Sequence, residues 1–368
     1  MKIFILAGEP SGDEYAAQLM KELKSINSGI LFSGIGGTLM QKEGLKSMVT
    51  FSRMSVMGFV EVLKSLFFFI KLEKIILTHL KNEMPDKIIL IDYPGFNLRL
   101  CKKIKAETNI EIIYYISPQI WAWKEKRIEI IKKTVDQMLV IFDFEKTWYS
   151  KRKVSVNYVG HPFLDIWKPK ENLDSFINKY SLNINKPILT LFPGSRSQEI
   201  NKHLTLFVDA ALKAKSQIPD LQILLGLHSD IKLTKKFNKN IIIINDTPLK
   251  ALEIATAAII SSGTATLQSA IMNTPAVVVY KMNKVSWWLT QKLVNVKFAS
   301  MANIIADKLI FPELLQSNAK PDKIANQIIK IINNKNFRSS MMSELKIIKK
   351  LVGKSGASKK AAQIIEGL

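Results

Sequence analysis

Short apolar runs alternate with segments of helical period along most of the chain. In the first half these runs are IFILA (3–7), KIILI (87–91), IEIIYYI (110–116) and MLVIF (138–142). Apolar runs of this length, each followed by a segment of helical period, are typical of parallel strands buried on both faces. The pattern therefore predicts an α/β fold built from repeated strand–helix units.

The same pattern starts again after GHPFLD (160–165). Its apolar runs are PILTLF (187–192), LQILLGL (221–227), NIIIIND (240–246), AAIISS (257–262) and PAVVVY (275–280). Each half also opens with a strand and a turn rich in glycine, proline and serine, AGEPSGDE in the first and FPGSRSQE in the second. The repetition indicates two domains of similar construction.

We predict two doubly wound, Rossmann-like domains that face a cleft, residues 1–162 and residues 163–344. The segment of about 345–368, broken at Gly353–Gly356, is predicted to form two helices that are candidates to pack back onto the first domain. One large sheet is the alternative, although 368 residues exceed the usual size of a single hydrophobic core.

The charge balance narrows the class of partner. The chain has 53 basic and 31 acidic residues, a net charge of +22, which favours nucleic acid, an anionic membrane surface or a phosphorylated substrate. It contains no RNP-like aromatic strand, zinc-finger spacing or contiguous basic arm, so we do not expect nucleic-acid binding. The single cysteine, Cys101, fits a reducing compartment. The sequence has no cluster of histidines and cysteines that would suggest a metal site. We therefore expect neither a metal nor a cofactor.

Two loops in the second half suit an anion. Residues 261–266, SSGTAT, follow an apolar run, where Gly263 admits a ligand to the backbone, Thr264 and Thr266 carry hydroxyls, and helix N–H groups attract phosphate. In FPGSRSQE, Gly194 and Ser195 offer backbone donors and Arg196 offers a guanidinium fork. The alternatives are an ordinary helix cap and a surface ion pair. Together the loops predict a diphosphate site without Mg²⁺.

Asp92 is the candidate base in the first half. It follows the apolar strand IILI, so partial desolvation is expected to raise its pKa, although capping of the next helix is an equal alternative. Glu9 is similarly placed, with Ser11 and Asp13 as candidate caps of the helix that follows. His161, one of four histidines, has either a packing or hinge role or a catalytic role.

Apolar and basic residues lie together in VEVLKSLFFFIKLEKIIL (60–77). The segment is too short and too charged to span a bilayer, but aromatic groups beside lysines suit the interface of an anionic membrane. Packing against the sheet is the alternative. A second such segment is KVSWWLTQKLVNVKF (284–298). The predicted membrane or acyl-chain contacts are Leu66, Phe67, Phe68, Phe69 and Ile70.

Eleven motifs, in order along nearly the whole chain, resemble the bacterial lipid-A-disaccharide synthase family. They are AGEPSGD (7–13), GIGG (34–37), QKEG (41–44), MGFVEVL (57–63), IDYPGFN (91–97), YYISPQIWAWKEKR (114–127), FEKTWY (144–149), GHPFLD (160–165), PGSRSQEI (193–200), SSGTATL (261–267) and ANIIADKLIFPELLQ (302–316). WAW and IDYPGFN are the most specific.

The resemblance implies a GT-B fold and an inverting, UDP-sugar-dependent hexosyltransferase of lipid A biosynthesis. The donor would be UDP-2,3-diacylglucosamine and the acceptor 2,3-diacylglucosamine 1-phosphate, bound by the second and first domains respectively. The products would be the β-1,6-linked disaccharide 1-phosphate and UDP. We expect a cytoplasmic protein, peripheral on the inner membrane, with a homodimer as a candidate assembly.

The resemblance also assigns roles to residues. Asp92 becomes the preferred base, Glu9 and Asn97 line the same side of the cleft, Arg196 and residues 262–266 hold the diphosphate, and Asn303 approaches it from the second domain. This set includes Ser262 and Ala265. Gln268 stands where the family usually has a glutamate, which commonly holds the ribose hydroxyls in GT-B enzymes, so the substitution bears on nucleotide affinity.

Three alternatives follow from the residues. A non-hydrolysing UDP-sugar epimerase on the same fold would act on soluble substrates, and the apolar segment 60–77 counts against it. A nicotinamide-dependent oxidoreductase needs a GxGxxG fingerprint, which the chain lacks. A non-catalytic protein at anionic membranes or nucleic acid would bind without turnover.

Overall fold

The computed structural model describes residues 1–51, 54, 66–195, 197–227, 238–293 and 296–368. The chain divides into two compact units. The first unit consists of Met1–Trp167, Trp288–Asn295 and Val352–Leu368, and the second of Lys168–Trp287 and Val296–Leu351. Each is built on a parallel sheet, which confirms the predicted α/β class. The assignment of acceptor and donor binding to domains 1–162 and 163–344 stays a prediction.

The sheet of the first unit has the strand order β3–β2–β1–β4–β5–β6–β7. Its strands are β1 (Lys2–Ala7), β2 (Leu31–Ile35), β3 (Lys46–Ser47), β4 (Lys87–Ile91), β5 (Glu111–Tyr115), β6 (Gln137–Val140) and β7 (Asn157–Tyr158). Each strand pairs in parallel, with Ile5 opposite Ile89 and Ile89 opposite Ile113. The apolar runs are therefore central strands, buried on both faces.

Helices join these strands and cover the sheet. They are α1 (Pro10–Ile26), α2 (Thr38–Lys42), α3 (Leu66–Glu83), α4 (Pro94–Glu107), α5 (Ile128–Thr134), α6 (Asp143–Ser150) and α7 (Phe163–Ile166). Proline stands in the first turn of α1 and α4, where its missing N–H costs no hydrogen bond. Helix α1 can therefore begin at Pro10.

The sheet of the second unit has the order β10–β9–β8–β11–β12–β13, again parallel. Its strands are β8 (Ile188–Phe192), β9 (Gln222–Gly226), β10 (Ile241–Ile244), β11 (Ala257–Ser261), β12 (Ala276–Tyr280) and β13 (Glu313–Leu315). The helices in the rest of the chain are α8 (Leu173–Lys179), α9 (Ser197–Gln217), α10 (Pro248–Glu253), α11 (Thr264–Ile271), α12 (Lys284–Leu293), α13 (Met301–Ala306), α14 (Pro321–Asn333), α15 (Lys335–Val352) and α16 (Ala357–Glu366).

The C-terminal segment forms two helices broken at Gly353–Gly356, as predicted. The second of them, α16, packs against α1 in the first unit. The Asp165 carboxylate accepts hydrogen bonds from the N–H groups of Gly356 and Ser358 at the start of α16. Lys87 donates to the Ile365 carbonyl at its end, 2.6 Å away. Side chains of the first unit thus bond to backbone groups at both ends of α16.

Strand β2 was not predicted, because LFSGI carries a serine and a glycine in place of a continuous apolar run. Gly34 has φ +142°, and a Cβ there would lie 2.0 Å from the Ile5 carbonyl oxygen on β1. The close pairing of β1 and β2 therefore requires glycine at this position.

A membrane-spanning helix was not predicted either. Within the described ranges, every helix is too short or too polar to cross a bilayer.

Candidate functional site

The strand order reverses once in each sheet, between β1 and β4 in the first unit and between β8 and β11 in the second. Ligands of open parallel sheets bind beyond the carboxyl ends of strands at such a reversal. The four loops that follow these strands begin at Gly8, Asp92, Pro193 and Ser262. They are the loops that the sequence singled out.

Asp92 lies in a strained turn directly after β4. It and Tyr93 have φ values of +43° and +50°, which are uncommon for residues with a side chain. The Asp92 N–H donates to the Tyr115 carbonyl, 3.1 Å away, and its own carbonyl oxygen accepts from the Tyr114 hydroxyl. Hydrogen bonds therefore hold the N–H and the carbonyl group of Asp92. They fix the position of the Cα from which the half-buried side chain extends.

Asn97 lies behind this turn. Its side chain is fully buried, and its amide nitrogen donates to the carbonyl oxygens of Ile91 (3.3 Å) and Asp92 (2.8 Å). That Asn97 lines the same side of the cleft as Glu9 stays a prediction, and its buried Oδ1 has no hydrogen-bond partner among the described residues. Asn97 is placed to position Asp92 through the backbone.

The loop after β1 contacts the turn after β4. A Cβ at Gly8 would lie 2.7 Å from the Tyr93 ring, and the Tyr93 hydroxyl donates to the Met54 carbonyl at 2.7 Å. Glu9, half-buried, is the residue before α1 and has an extended backbone. Glu9 and Asp92 are therefore held at the same edge of the sheet.

Asp13 was predicted to cap α1, but it caps a different helix. Its buried carboxylate accepts hydrogen bonds from the N–H groups of Gly37 (2.8 Å), Leu39 (3.1 Å) and Met40 (3.1 Å), so it caps α2. Because α1 begins at Pro10, Asp13 already lies inside its first turn.

In the second unit, the N-terminus of α11 is open. Gly263 and Thr264 are exposed, Gly263 has φ +143°, and no atom lies within 4 Å of the place where its Cβ would be. The Ser262 hydroxyl donates to the Ala299 carbonyl, 2.7 Å away. The N–H groups at the start of α11 are therefore presented by a loop that is itself anchored, an arrangement suited to an anion.

Thr266 differs from its predicted role as a hydroxyl donor to phosphate. Its side chain is buried, donates to the Gly263 carbonyl (2.8 Å) and accepts from the Met301 N–H (3.1 Å). The hydroxyl stabilises the loop, so Thr264 is the threonine left at the surface. Ala265 is half-buried, and Gln268 is buried in α11.

The turn after β8 is held by two buried side chains. Gly194 has φ +130°, and a Cβ there would lie 2.6 Å from the Glu199 carboxylate, which accepts from the Ser195 N–H at 3.3 Å. Ser195 is exposed. The third predicted member of this turn, Arg196, lies outside the described residues.

His203, which the sequence did not single out, is the second anchor of this turn. It is fully buried between the Pro193 carbonyl, 3.1 Å from Nδ1, and the Lys281 N–H, 3.0 Å from Nε2. This pairing places the proton on Nδ1, and burial lowers the pKa of the imidazole. No motif in the sequence marked His203, because its partners are backbone groups from two distant loops.

The predicted approach of Asn303 to the diphosphate stays a prediction, and in the structure its side chain bonds to the fold. It is fully buried and makes four side-chain hydrogen bonds, donating to the Phe311 carbonyl and Glu313 and accepting from the N–H groups of Ile310 and Phe311. These bonds fill the hydrogen-bonding capacity of the amide. Its role in the structure is to hold the segment that leads into β13.

Two carboxyl groups that were not predicted as functional have raised pKa values. Burial, with the Asp13 charge, raises the pKa of Glu14 to about 7, and burial raises the pKa of Glu145 to about 7. Glu145 accepts from Ser117 and from the Trp121 indole (3.1 Å), so it ties the loop after β5 to α6. The FEKTWY motif contained Glu145, but the sequence did not show that Ser117 and Trp121 are its hydrogen-bond partners.

His161 gives the stability of the protein a pH dependence. The ring is buried between Tyr15 and Phe142, and burial lowers its pKa to about 3. An unfolded histidine has a pKa of about 6.5, so the unfolded chain alone gains a proton as the pH falls from about 6.5 towards 3. Over this window His161 should reduce the free energy of unfolding by about 1.4 kcal/mol per pH unit. Urea unfolding of the wild type and His161→Asn at several pH values measures this, and equal slopes would refute it.

The fold and the loops at its reversals define a class of protein. The structure is similar to the UDP-GlcNAc 2-epimerase from Neisseria meningitidis bound to UDP-GlcNAc, with a TM-score of 0.69, 11% identity and coverage of 100% of both chains. It is also similar to the calicheamicin glycosyltransferase, with a TM-score of 0.61, 13% identity and coverage of 100% of this chain and 97% of that chain. The chain thus has the predicted GT-B fold, shared by glycosyltransferases and epimerases.

The sequence identifies the family within this class. A family model described as lipid-A-disaccharide synthetase matches residues 3–366. The lipid-A-disaccharide synthase of Coxiella burnetii (strain CbuK_Q154) is 36% identical over 369 residues, which cover 100% of this chain and 98% of that protein. The chain belongs to the lipid-A-disaccharide synthetase family and is a glycosyltransferase, as its motifs predicted.

Proposed function

We propose that the protein condenses UDP-2,3-diacylglucosamine with 2,3-diacylglucosamine 1-phosphate. The products are the β-1,6-linked disaccharide 1-phosphate and UDP, with inversion at the anomeric carbon of the donor. The observation that carries this proposal is the match of residues 3–366 to the family model. The strained Asp92 turn and the open N-terminus of α11 support it, because a carboxylate and helix N–H groups there would suit a base and an anion site.

Asp92 is the proposed general base. The 6-hydroxyl of the acceptor gives its proton to Asp92 as its oxygen attacks the anomeric carbon, and the bond from that carbon to the diphosphate breaks with its electron pair going to UDP. Asn97 and Tyr114 act as positioning residues, because they hold the Asp92 carbonyl. Glu9, at the same edge of the sheet, is the proposed second polar contact to the acceptor.

The second unit is proposed to bind the diphosphate of the donor. The N–H groups at the start of α11, around Gly263 and Thr264, would face its oxygens, together with Gly194, Ser195 and Arg196. A helix N-terminus contributes only about 0.3–1 kcal/mol at an exposed site, so several donors must act together. The buried Gln268 is the proposed neighbour of the ribose.

The direct test is mass spectrometry of the products formed from the two acylated substrates. We expect a disaccharide 1-phosphate and UDP, formed equally well with EDTA present. Loss of activity in EDTA would refute charge stabilisation by protein groups alone. Conversion of UDP-GlcNAc to its 2-epimer without disaccharide formation would favour the epimerase, which the structural similarity to UDP-GlcNAc 2-epimerase keeps as the second candidate.

The exposed face of α3 is proposed to contact an anionic membrane surface. Phe67 is 84% exposed and Ile70 38% exposed, and they share this face with the exposed Lys71 and Lys74. Phe69, by contrast, is only 6% exposed and packs in the core, because its ring contacts Tyr93 and Phe96.

Phe68 and Leu66 were also predicted as lipid contacts. Phe68 is partly buried and packs on the core. The side chain of Leu66 lies outside the described residues, as do residues 60–65. The proposed contact therefore has fewer members than the sequence suggested.

Phe67→Ser should weaken binding to vesicles that contain anionic lipid by about tenfold or more. A large apolar side chain buried in lipid contributes about 1.5–3 kcal/mol, and tenfold corresponds to about 1.4 kcal/mol. Co-sedimentation with vesicles of neutral and anionic lipid measures the effect. Light scattering of the same protein samples without vesicles tests the candidate homodimer. Ile184→Ser, which removes another exposed apolar side chain, is the control. Equal losses in the two variants would contradict a lipid-binding face on α3.

A further inference from the structure

Two cations share one indole ring on the segment that follows β5. β5 pairs with β4 so that Tyr115 lies opposite Ile91, and the chain that follows β5 therefore begins next to Asp92. In that chain, Lys124 Nζ lies 4.8 Å and the Arg127 guanidinium carbon 5.1 Å from the centre of the Trp123 ring. Positive charge is thus concentrated on a segment that begins beside the proposed base.

Arg127 differs from the other arginines that the structure describes. Arg99 pairs with Glu73, Arg152 pairs with Glu125, and Arg338 donates to the carbonyl oxygens of Ile331 and Ile332. Arg127 stacks on Trp123, and no carboxylate or carbonyl of the described chain accepts a hydrogen bond from its guanidinium. Arg53 and Arg196 lie outside the described residues. Since a stacked guanidinium keeps its N–H edge available, Arg127 can receive a ligand.

The surroundings of Arg127 favour an anion. Burial lowers the pKa of Arg127, and burial with the Arg127 charge lowers the pKa of Lys124. The nearby carboxylate on this segment, Glu125, is paired with Arg152 at 2.7 Å. Lys124 is exposed and Arg127 half-buried, and the positive charge that they place on one indole ring would attract an anion.

Arg127 is linked to the Asp92 turn through Tyr114. It lies within electrostatic range of the Tyr114 hydroxyl, and this hydroxyl donates to the Asp92 carbonyl oxygen. In a hexose, C1 and the carbon that bears C6 are both bonded to the ring oxygen, so a sugar whose 6-hydroxyl lies at Asp92 carries its 1-phosphate nearby. The loop next to Asp92 is therefore where a site for that phosphate is expected.

We propose that Arg127 and Lys124 bind the phosphate monoester of the acceptor sugar, with Trp123 holding the guanidinium in place. The inference rests on the proposed function and adds a specificity-determining site to it. The guanidinium fork suits two phosphate oxygens at once, while Lys124 supplies a point charge. The site selects an acceptor that carries a phosphate over the same sugar without one.

The test compares 2,3-diacylglucosamine 1-phosphate with 2,3-diacylglucosamine as acceptors. The wild type should prefer the phosphorylated acceptor, and Arg127→Gln should reduce this preference in kcat/KM by about 10-fold to 100-fold, mainly through KM. Arg127→Lys should retain part of it. The control is Arg338→Gln, which removes an arginine charge from the second unit and should leave the preference unchanged. Thermal unfolding of each variant establishes that it is folded. If Arg127→Gln is not folded, Arg127→Lys takes its place in the comparison of acceptors.

Several outcomes would overturn the inference. If Arg127→Gln lowers kcat/KM equally for both acceptors, Arg127 is structural and binds no phosphate. If the variant loses binding to anionic vesicles but keeps its preference between acceptors, the phosphate group belongs to a membrane lipid. Failure of the wild type to form a disaccharide from either acceptor would instead remove the proposed function, and this inference with it.

Discussion

Asp92→Asn is expected to lower the rate of disaccharide formation by about 10²–10⁴-fold, the usual contribution of a general base. Asparagine keeps the size of the side chain and leaves the bonds from Asn97 and Tyr114 to the backbone intact, so the turn should persist. Affinity for the UDP-sugar, measured by calorimetry, should change by less than about twofold, because the proposed diphosphate site lies in the second unit. The rate is measured by single-turnover kinetics with saturating donor.

Asp86→Asn is a matched control for this variant. Asp86 precedes β4, whereas Asp92 follows it, and its carboxylate accepts from the Lys2 N–H at 2.7 Å. The substitution removes one carboxylate at the opposite end of the same strand and should leave turnover nearly unchanged. If Asp92→Asn retains wild-type turnover, Asp92 has no part in proton transfer, and Glu14, with a pKa of about 7, becomes the carboxyl to test.

Asn303→Ala is expected to destabilise the second unit by about 3 kcal/mol or more. The substitution leaves buried N–H and carbonyl groups at Ile310 and Phe311 without partners, and each orphaned buried group costs about 1–3 kcal/mol. Urea unfolding monitored by circular dichroism measures the loss. Thr264→Ala, an exposed substitution near the predicted anion site, should change stability by less than about 0.5 kcal/mol.

The Asn303 experiment separates two roles. The family resemblance assigned Asn303 to the substrate, whereas its hydrogen bonds assign it to the fold. Unchanged stability together with a raised KM for the donor would restore the substrate role. A large loss of stability with normal donor KM in the surviving folded protein would support the structural one.

Much of the fold could be predicted because its central strands carry an unmistakable signal. KIILI, ILTLF and AVVVY are buried on both faces, so nearly every position is apolar and their bounds can be placed within a residue or two. The strands β2, β3, β7 and β13 are short or contain polar residues. Their pairing depends on neighbours far away in the sequence, which periodicity does not record.

The candidate site could be predicted at the level of loops and less well at the level of side chains. Small residues after a buried strand mark a reversal loop, and this identified the turns at Gly8, Gly194 and Gly263. Whether a hydroxyl or amide faces outward depends on partners from other segments. Thr266 faces the Met301 N–H, and Asn303 faces the start of β13, so both are committed to the fold.

The position of α16 has a consequence for the order in which the protein is made. Ala361, Ala362 and Ile365 of this helix are fully buried in the first unit, yet they are translated after the whole second unit. At about 5–20 residues per second, a ribosome that has passed Trp167 needs roughly 10–40 s to reach them. During that interval the surface of α1 that α16 contacts in the folded protein lacks this partner.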